Sequence, residues 1–289
     1  MSIKDPVQIL VNRTGALGDV LLTTGVIRDL KRQYAESGMR CEIDVRTEFP
    51  ELFIANPYVR DIYPRRDLNH YERLLDFDLA YEQRPDLHVI DAYARIAGVN
   101  RERCRPELFG EVAPFTDLPE QYVTIHMRNH HWANRNLPEN FWIELIGRII
   151  SDTDLAVVQI GGGTDLSFGE IEGRLYNRVG QYSVHETYAA IQSAQAFVGV
   201  DAGSLHIAAC TETPILGLFT AVRAEYREPI GRRAPHINVA ADIDCYGCVE
   251  GYERPLTTYR CDRGDEECTR RFNADAVFEK FKLLLEKSQ

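Results

Sequence analysis

The sequence predicts an α/β protein made of two doubly wound, parallel-sheet halves. Three observations lead there. Short apolar runs alternate with helical apolar spacings along the chain, the pattern of strands joined by crossover helices. Residues 108–121 lack any periodicity, contain two prolines and interrupt that alternation. The 289 residues are enough for two domains of ordinary size.

In the first half, residues 7–11 form an apolar run of strand length. Residues 19–34 then carry apolar side chains at helical spacing, at Val20, Leu21, Val26, Ile27 and Leu30. Residues 41–46 read as a second strand. Residues 49–55 read as a short helix stopped by Asn56-Pro57, since proline cannot continue a helix. Residues 59–63 and 77–81 read as the third and fourth strands, and residues 86–97 as a helix closed by Gly98. In the second half, residues 122–126, 155–160, 196–200 and 214–219 read as strands. Residues 141–150 (opened by Pro138-Glu139-Asn140), 185–194, 204–210 and 274–286 read as helices. The expected domains are 1–115 and 116–289, and no internal repeat is visible.

Composition narrows the function classes. The chain is 44% hydrophobic and 27% charged, as in soluble globular proteins. No segment approaches the roughly 20 apolar residues that span a bilayer. Met1-Ser-Ile-Lys-Asp-Pro has no apolar signal region, so a cytoplasmic protein is expected. A net charge of −11 argues against broad nucleic-acid binding, which depends on Lys and Arg neutralising phosphates. Arg65, Arg66 and His70 could form a local basic cleft, although a solvated loop is the better reading of them.

Residues 13–28, Arg-Thr-Gly-Ala-Leu-Gly-Asp-Val-Leu-Leu-Thr-Thr-Gly-Val-Ile-Arg, follow the first strand directly. They place Gly15, Gly18 and one carboxylate, Asp19, at the carboxyl end of a strand, where open parallel sheets bind ligands. Glycine lets backbone approach a ligand closely. The same position suits a plain helix N-cap. The segment lacks the Gly-Lys-Ser/Thr ending of a phosphate loop.

In the second half, Asp201-Ala202-Gly203-Ser204-Leu205-His206 sits between a strand and a helix. Free N–H groups and the positive dipole end at such a helix start suit a phosphate, with His206 near the same anion. Asp201 is expected to cap or orient the loop. The loop from His126 to Pro138 carries Arg128 and Arg135, either of which could hold a diphosphate bidentately. Gly161-Gly162-Gly163, followed by Thr164 and Asp165, ends a strand nearby, and Thr220 ends another. Four of the seven cysteines cluster as Cys245-x2-Cys248-x12-Cys261-x6-Cys268. That spacing fits a structural zinc or iron site, free buried thiols, or a redox disulfide. Cys41, Cys104 and Cys210 read as small buried residues.

The Arg13–Asp19 segment resembles the N-terminal motif of glycosyltransferase family 9, the heptosyltransferases: a basic residue, a small loop, then Gly-Asp-Val/Leu. The Asp201–His206 segment is similar to that family's second motif. Arg135 matches a family cation by its distance to Pro138, although Met127-Arg128 and Leu137 depart from the usual Pro-Gly and aromatic residues. The resemblance implies a GT-B fold of two Rossmann-like domains, with an acceptor-side N-terminal domain. The C-terminal domain would bind the nucleotide sugar and carry a Cys-rich insertion over 243–270.

It further implies inverting transfer from ADP-heptose to a hydroxyl of the lipopolysaccharide core, with Asp19 as general base assisted by Arg13. Gly18, Arg128, Arg135, Gly163, Asp201, Ala202, Gly203, Ser204 and His206 would hold the donor, and no divalent metal would be needed for the chemistry. The enzyme would work in the cytoplasm or at the cytoplasmic face of the inner membrane, touching it peripherally, alone or as an oligomer. Certain protein-modifying relatives hold iron in four cysteines. The first half is short beside typical lipopolysaccharide heptosyltransferases, which leaves a protein side chain or another glycan open as acceptor. Other readings of the same residues are a non-catalytic ADP or nucleotide-sugar-binding protein, an assembly module built on the cysteines, and a sugar-nucleotide epimerase, for which no carboxylate pair is visible.

Overall fold

A computed structural model describes residues 5–62, 68–113, 115–128, 132–249 and 261–288. The chain divides into two compact units, Met1–Glu111 and Val112–Gln289. Each is α/β and built on one parallel sheet.

The first unit runs β1 (Val7–Asn12), α1 (Leu17–Glu36), β2 (Cys41–Arg46), β3 (Asp61–Ile62), β4 (Arg73–Asp76) and α2 (Val89–Ala97). Its sheet order is β3-β2-β1-β4. β1 is parallel to β2 along its whole length and to β4 from Ile9 to Asn12. With partners on both sides and both faces covered, β1 reads as an unbroken apolar run, and Ile9, Leu10 and Val11 are fully buried. α1 lays Val20, Leu21, Ile27 and Leu30 into the core. α2 begins where the His88 ring accepts from the Ile90 N–H and ends at Gly98, in the left-handed region at φ 73°.

The fourth strand is not residues 77–81 but β4, just before them. As an edge strand β4 buries only Leu75 and leaves Leu74 exposed, so its apolar signal is weak. Phe77, which looked like a strand residue, is buried in a turn and stacks on Tyr93 with ring centroids 4.8 Å apart. Residues 49–55 contribute one 3-10 turn, Pro50–Phe53, and the described residues of 59–63 contribute the two-residue β3. Arg65 and Arg66 lie outside the described residues, and His70 is exposed at the end of a 3-10 turn.

The second unit runs β5 (Tyr122–His126), α3 (Glu139–Asp152), β6 (Ala156–Gln159), β7 (Leu175–Asn177), α4 (Val184–Gln192), β8 (Ala196–Val200), α5 (Gly203–Ala209), β9 (Ile215–Phe219), β10 (His236–Ala240) and α6 (Ala274–Glu286). The order β10-β9-β8-β5-β6-β7, all parallel, is that of dinucleotide-binding sheets. Trp142, Leu145 and Ile149 of α3 share one core cluster with Phe278, Phe281 and Leu284 of α6. α4 is opened by a capping box in which Ser183 and Glu186 each bond the other's backbone N–H. The edge strands β7 and β10 escaped the sequence reading because each is short or half-exposed. Among the described residues, no helix is long and apolar enough to cross a membrane.

Two glycines separate packing from propensity. Backbone at Cys104 and Arg105 crosses α1 at Gly25, where an added Cβ would lie 2.3 Å from both carbonyl oxygens. Gly147, exposed on α3, has nothing within 4 Å of such a Cβ. Gly25→Ala is therefore expected to destabilise the protein by about 1–3 kcal/mol. Gly147→Ala should stabilise it by about 0.5–1 kcal/mol. Urea unfolding of both variants checks the two opposite signs.

Candidate functional site

Open α/β sheets bind ligands beyond the carboxyl ends of their strands, where the strand order reverses. In the first unit the chain leaves β1 to build β2 and β3 on one side and returns to place β4 on the other. The switch point therefore lies between β1 and β4, and the loop after β1 meets the turn after β4. Five hydrogen bonds latch these segments together. The Thr14 backbone N–H and hydroxyl both donate to Asp78, each at 2.9 Å. Arg13 Nη1 donates to the Phe77 carbonyl at 3.1 Å, and Arg13 Nη2 donates to Glu82 Oε1 at 3.1 Å. The Tyr81 hydroxyl donates to Asp19 Oδ2 at 3.1 Å.

Asp19 lies in the first turn of α1 but does not cap it; the N-cap is Ala16, which makes no side-chain cap. Arg13 Nη2 also donates to Asp19 Oδ2, at 2.6 Å. Both bonds thus fall on one carboxylate oxygen, Oδ2. Arg13 is only 5% exposed, so it positions Asp19 from behind rather than reaching out to a ligand. Burial works against the Arg13 charge, yet Tyr93, Asp19, Glu82 and Tyr81 together hold its guanidinium well above its ordinary value. Its Cζ stands 5.5 Å from the Tyr81 ring centroid and 6.0 Å from that of Tyr93. Burial pushes the Glu82 carboxyl up, against Arg13.

Two residues here, Ala16 at φ 59° and Leu79 at φ 59°, adopt the left-handed region that L side chains avoid, the kind of strain that gathers at functional sites. Ala16, not Gly15 or Gly18, is the left-handed residue of the loop. A Cβ at Gly15 would meet nothing within 4 Å.

In the second unit the order reverses between β5 and β8. The loop after β5 carries Arg135 and the loop after β8 carries Asp201, and the two pair at 2.9 Å. Arg135 also lies over Trp132, its Cζ 4.0 Å from the ring centroid, and the Thr220 hydroxyl fixes this loop by donating to the Asn134 carbonyl at 2.5 Å. α5 starts from Ala202 without a side-chain cap. Asp201 therefore orients Arg135 instead of capping the helix. Ser204 and His206 are buried at that helix start and Gly203 is half-buried. Arg128 is exposed and makes no ion pair among the described residues, whereas Arg135 is held in place. Asn129, His130 and His131 lie outside the described residues.

The glycine triplet is pinned, not loose. Asp165 Oδ2 accepts from the Gly162 N–H at 2.6 Å and lies 3.3 Å from His126 Nε2. Gly161, at φ 152°, has no room for a Cβ beside Asp165, and Gly163 is exposed.

None of the seven cysteines forms a disulfide. Cys268 is pushed up to about 11, first by burial and then by the neighbouring thiols of Cys248, Cys245 and Cys261. Burial opposes ionisation of Cys261, yet backbone hydrogen bonds from Glu266, Asp265, Arg263 and Gly264 hold it below its ordinary value. Among the described residues, no group of three or more His, Cys, Asp or Glu side chains is placed to hold a metal ion. The zinc or iron expected at Cys245, Cys248, Cys261 and Cys268 is thus not supported. Residues 250–260 of the insertion lie outside the described residues.

Sequence reasoning missed Asp78, Tyr81, Glu82, Tyr93 and Trp132. The only available signal was the pair of carboxylates in the otherwise apolar residues 77–82.

No curated protein sequence matches the chain. Solved structures do. TibC, an iron-containing dodecameric glycosyltransferase from enterotoxigenic E. coli H10407, is 17% identical, with a TM-score of 0.75 over 100% of this chain and 78% of that one. The TM-score to TibC in complex with ADP-D-beta-D-heptose is 0.78. A family 9 glycosyl transferase from Veillonella parvula DSM 2008 is 15% identical, with a TM-score of 0.71 over 100% and 99% of the two chains. The ADP-heptose lps heptosyltransferase II of E. coli is 16% identical, with a TM-score of 0.67 over 97% and 99%. The two parallel α/β units thus have the GT-B fold of heptosyltransferase structures. The family model for glycosyltransferase family 9 (heptosyltransferase) matches residues 109–255, more than half of the chain. The chain belongs to glycosyltransferase family 9, and is a glycosyltransferase.

Proposed function

We propose that this enzyme moves heptose from ADP-heptose to a hydroxyl of the lipopolysaccharide core, with inversion at the anomeric carbon and Asp19 as the general base. The observation that carries the reading is the anchoring of Asp19. One carboxylate oxygen is fixed by Arg13 and Tyr81, at the switch point of the first unit, and the other is left to accept a proton. The ADP-heptose complex of TibC and the naming of the E. coli heptosyltransferase support the donor.

In this reading Asp19 takes the proton of the acceptor hydroxyl as its oxygen bonds to the anomeric carbon. The bond to the donor's diphosphate breaks on the opposite face, and ADP leaves with the electron pair. The charge that develops on ADP is met by Arg135 and by the N–H groups at Gly203 and Ser204, with His206 beside them. Asp201 keeps Arg135 in place, and its remaining guanidinium donors are available to a phosphate. Arg128, exposed, contributes charge at the same loop, and Gly163 and Ala202 bring backbone close to the nucleotide. Gly18 does the same for the acceptor-side loop. We place the reaction in the cytoplasm, at the inner-membrane face when the acceptor is a glycolipid.

A second reading keeps the chemistry and changes the acceptor to a protein side chain or another glycan. The shortness of the first unit, Met1–Glu111, favours it.

Calorimetric titration with ADP-heptose, ADP, UDP-glucose and GDP-mannose is expected to show binding of the first two alone. Preference for a uridine or guanosine nucleotide would overturn the donor. Asp19→Asn should lower turnover by about 10²–10⁴-fold, the usual contribution of a general base, with ADP-heptose affinity unchanged; unchanged turnover would remove Asp19 from the chemistry. Arg135→Ala is expected to weaken ADP binding by about 1.5–3 kcal/mol, the worth of hydrogen bonds to a charged group. Equal affinity of the variant and the parent protein in the same titration would dismiss Arg135 as a diphosphate ligand.

A further inference from the structure

Arg13 is one guanidinium serving two carboxylates. Its Nη2 lies 2.6 Å from Asp19 Oδ2 and 3.1 Å from Glu82 Oε1. The second oxygen of Glu82, Oε2, is buried without a hydrogen-bond partner, and leaving a buried acceptor unpaired is unfavourable. Glu82 sits in a turn where a neutral residue would avoid that penalty. What the charge does there is electrostatic. A cation at hydrogen-bond distance makes a carboxylate a weaker base, and a second carboxylate nearby restores its affinity for a proton. A general base loses efficiency when its proton affinity falls too far below the operating pH.

The charged and titratable groups facing this pair come from every element around it. Arg13 follows β1, Asp19 is on α1, and Asp78, Tyr81 and Glu82 are in the turn after β4. Asp78 Oδ1 is 3.9 Å from Arg13 Nη1. Tyr93 comes from α2, its hydroxyl buried. Of these, Glu82 is the one carboxylate besides Asp19 that shares Arg13 Nη2.

We propose that Glu82 is a positioning residue that acts through Arg13 to keep Asp19 basic enough to take the acceptor's proton. The inference rests on Asp19 being the base. Removing the Glu82 charge gives Arg13 wholly to Asp19 and weakens it as a base; keeping the charge on a shorter side chain does not.

The test needs no acceptor. The Asp19 carboxyl is followed by ¹³C NMR through a pH titration of the full-length protein and of Glu82→Gln. Its signal is assigned by its loss in Asp19→Asn. Glu82→Gln is expected to lower the Asp19 midpoint by about half to one pH unit, and Glu82→Asp to leave it near that of the parent protein. An unmoved midpoint in Glu82→Gln overturns the proposal. If Glu82→Gln does not fold, Glu82→Asp carries the test in sodium chloride, since screening Arg13 and the remaining charge should move its midpoint less than that of an exposed carboxylate; an equal movement overturns the proposal. Turnover of ADP-heptose onto heptose-free lipopolysaccharide core keeps the two claims apart. Full activity in Asp19→Asn defeats the general-base reading alone. A Glu82→Gln acid limb displaced to lower pH, with a plateau kcat about two- to threefold lower and an unchanged KM for ADP-heptose, supports the proposal.

Discussion

The buried bond from Arg13 to Asp19 is the constraint on which the first unit is organised. It fixes one oxygen of the carboxylate and presents the other, and it requires that the loop after β1 and the turn after β4 be held together. Asp78, Phe77, Tyr81 and Glu82 do the holding. Buried ion pairs are poor stabilisers, because desolvation offsets most of their Coulomb attraction. A guanidinium 5% exposed between two carboxylates, with two left-handed non-glycine residues at Ala16 and Leu79, is therefore better explained by chemistry than by stability.

The second unit solves a different problem with the same topology. Its sheet reverses between β5 and β8, and there Arg135, paired with Asp201, lies on the loop after β5 while α5 starts after β8. Arg135 is braced by Asp201 and by the Trp132 ring, so its charge is held in place. In the proposed reaction one unit would carry the base and the other the site for negative charge. A single-displacement glycosyl transfer separates the same two tasks, proton removal from one partner and charge stabilisation on the other.

Much of this was legible in the sequence. Central strands such as β1, β5 and β8 are buried on both faces and read as apolar runs, and Asp19, Arg135 and Asp201 stood out at strand ends. The unread parts share a physical cause. β4, β7 and β10 are edge strands with diluted apolar patterns, so the residues 77–81 that follow β4 were mistaken for the strand itself. Tyr81 and Glu82 were invisible because their role depends on a pairing with residues more than 60 positions earlier in the chain. The role of Asp201 was half-read: its place at a strand end suggested a cap, and only the fold shows the arginine opposite. The cysteine spacing suggested a metal, but spacing does not report how the side chains are placed, and among the described residues no group of three or more is placed to hold one.

The central claim is that Asp19 acts as a base in one displacement and not as a nucleophile in two. The anomeric configuration of the transferred sugar, read by ¹H NMR at the first appearance of product, tests this most directly. Inversion relative to the ADP-sugar is the expected result. Retention would mean a covalent glycosyl-enzyme intermediate, and would contradict both the role of Asp19 as a base and the purpose of the network behind it.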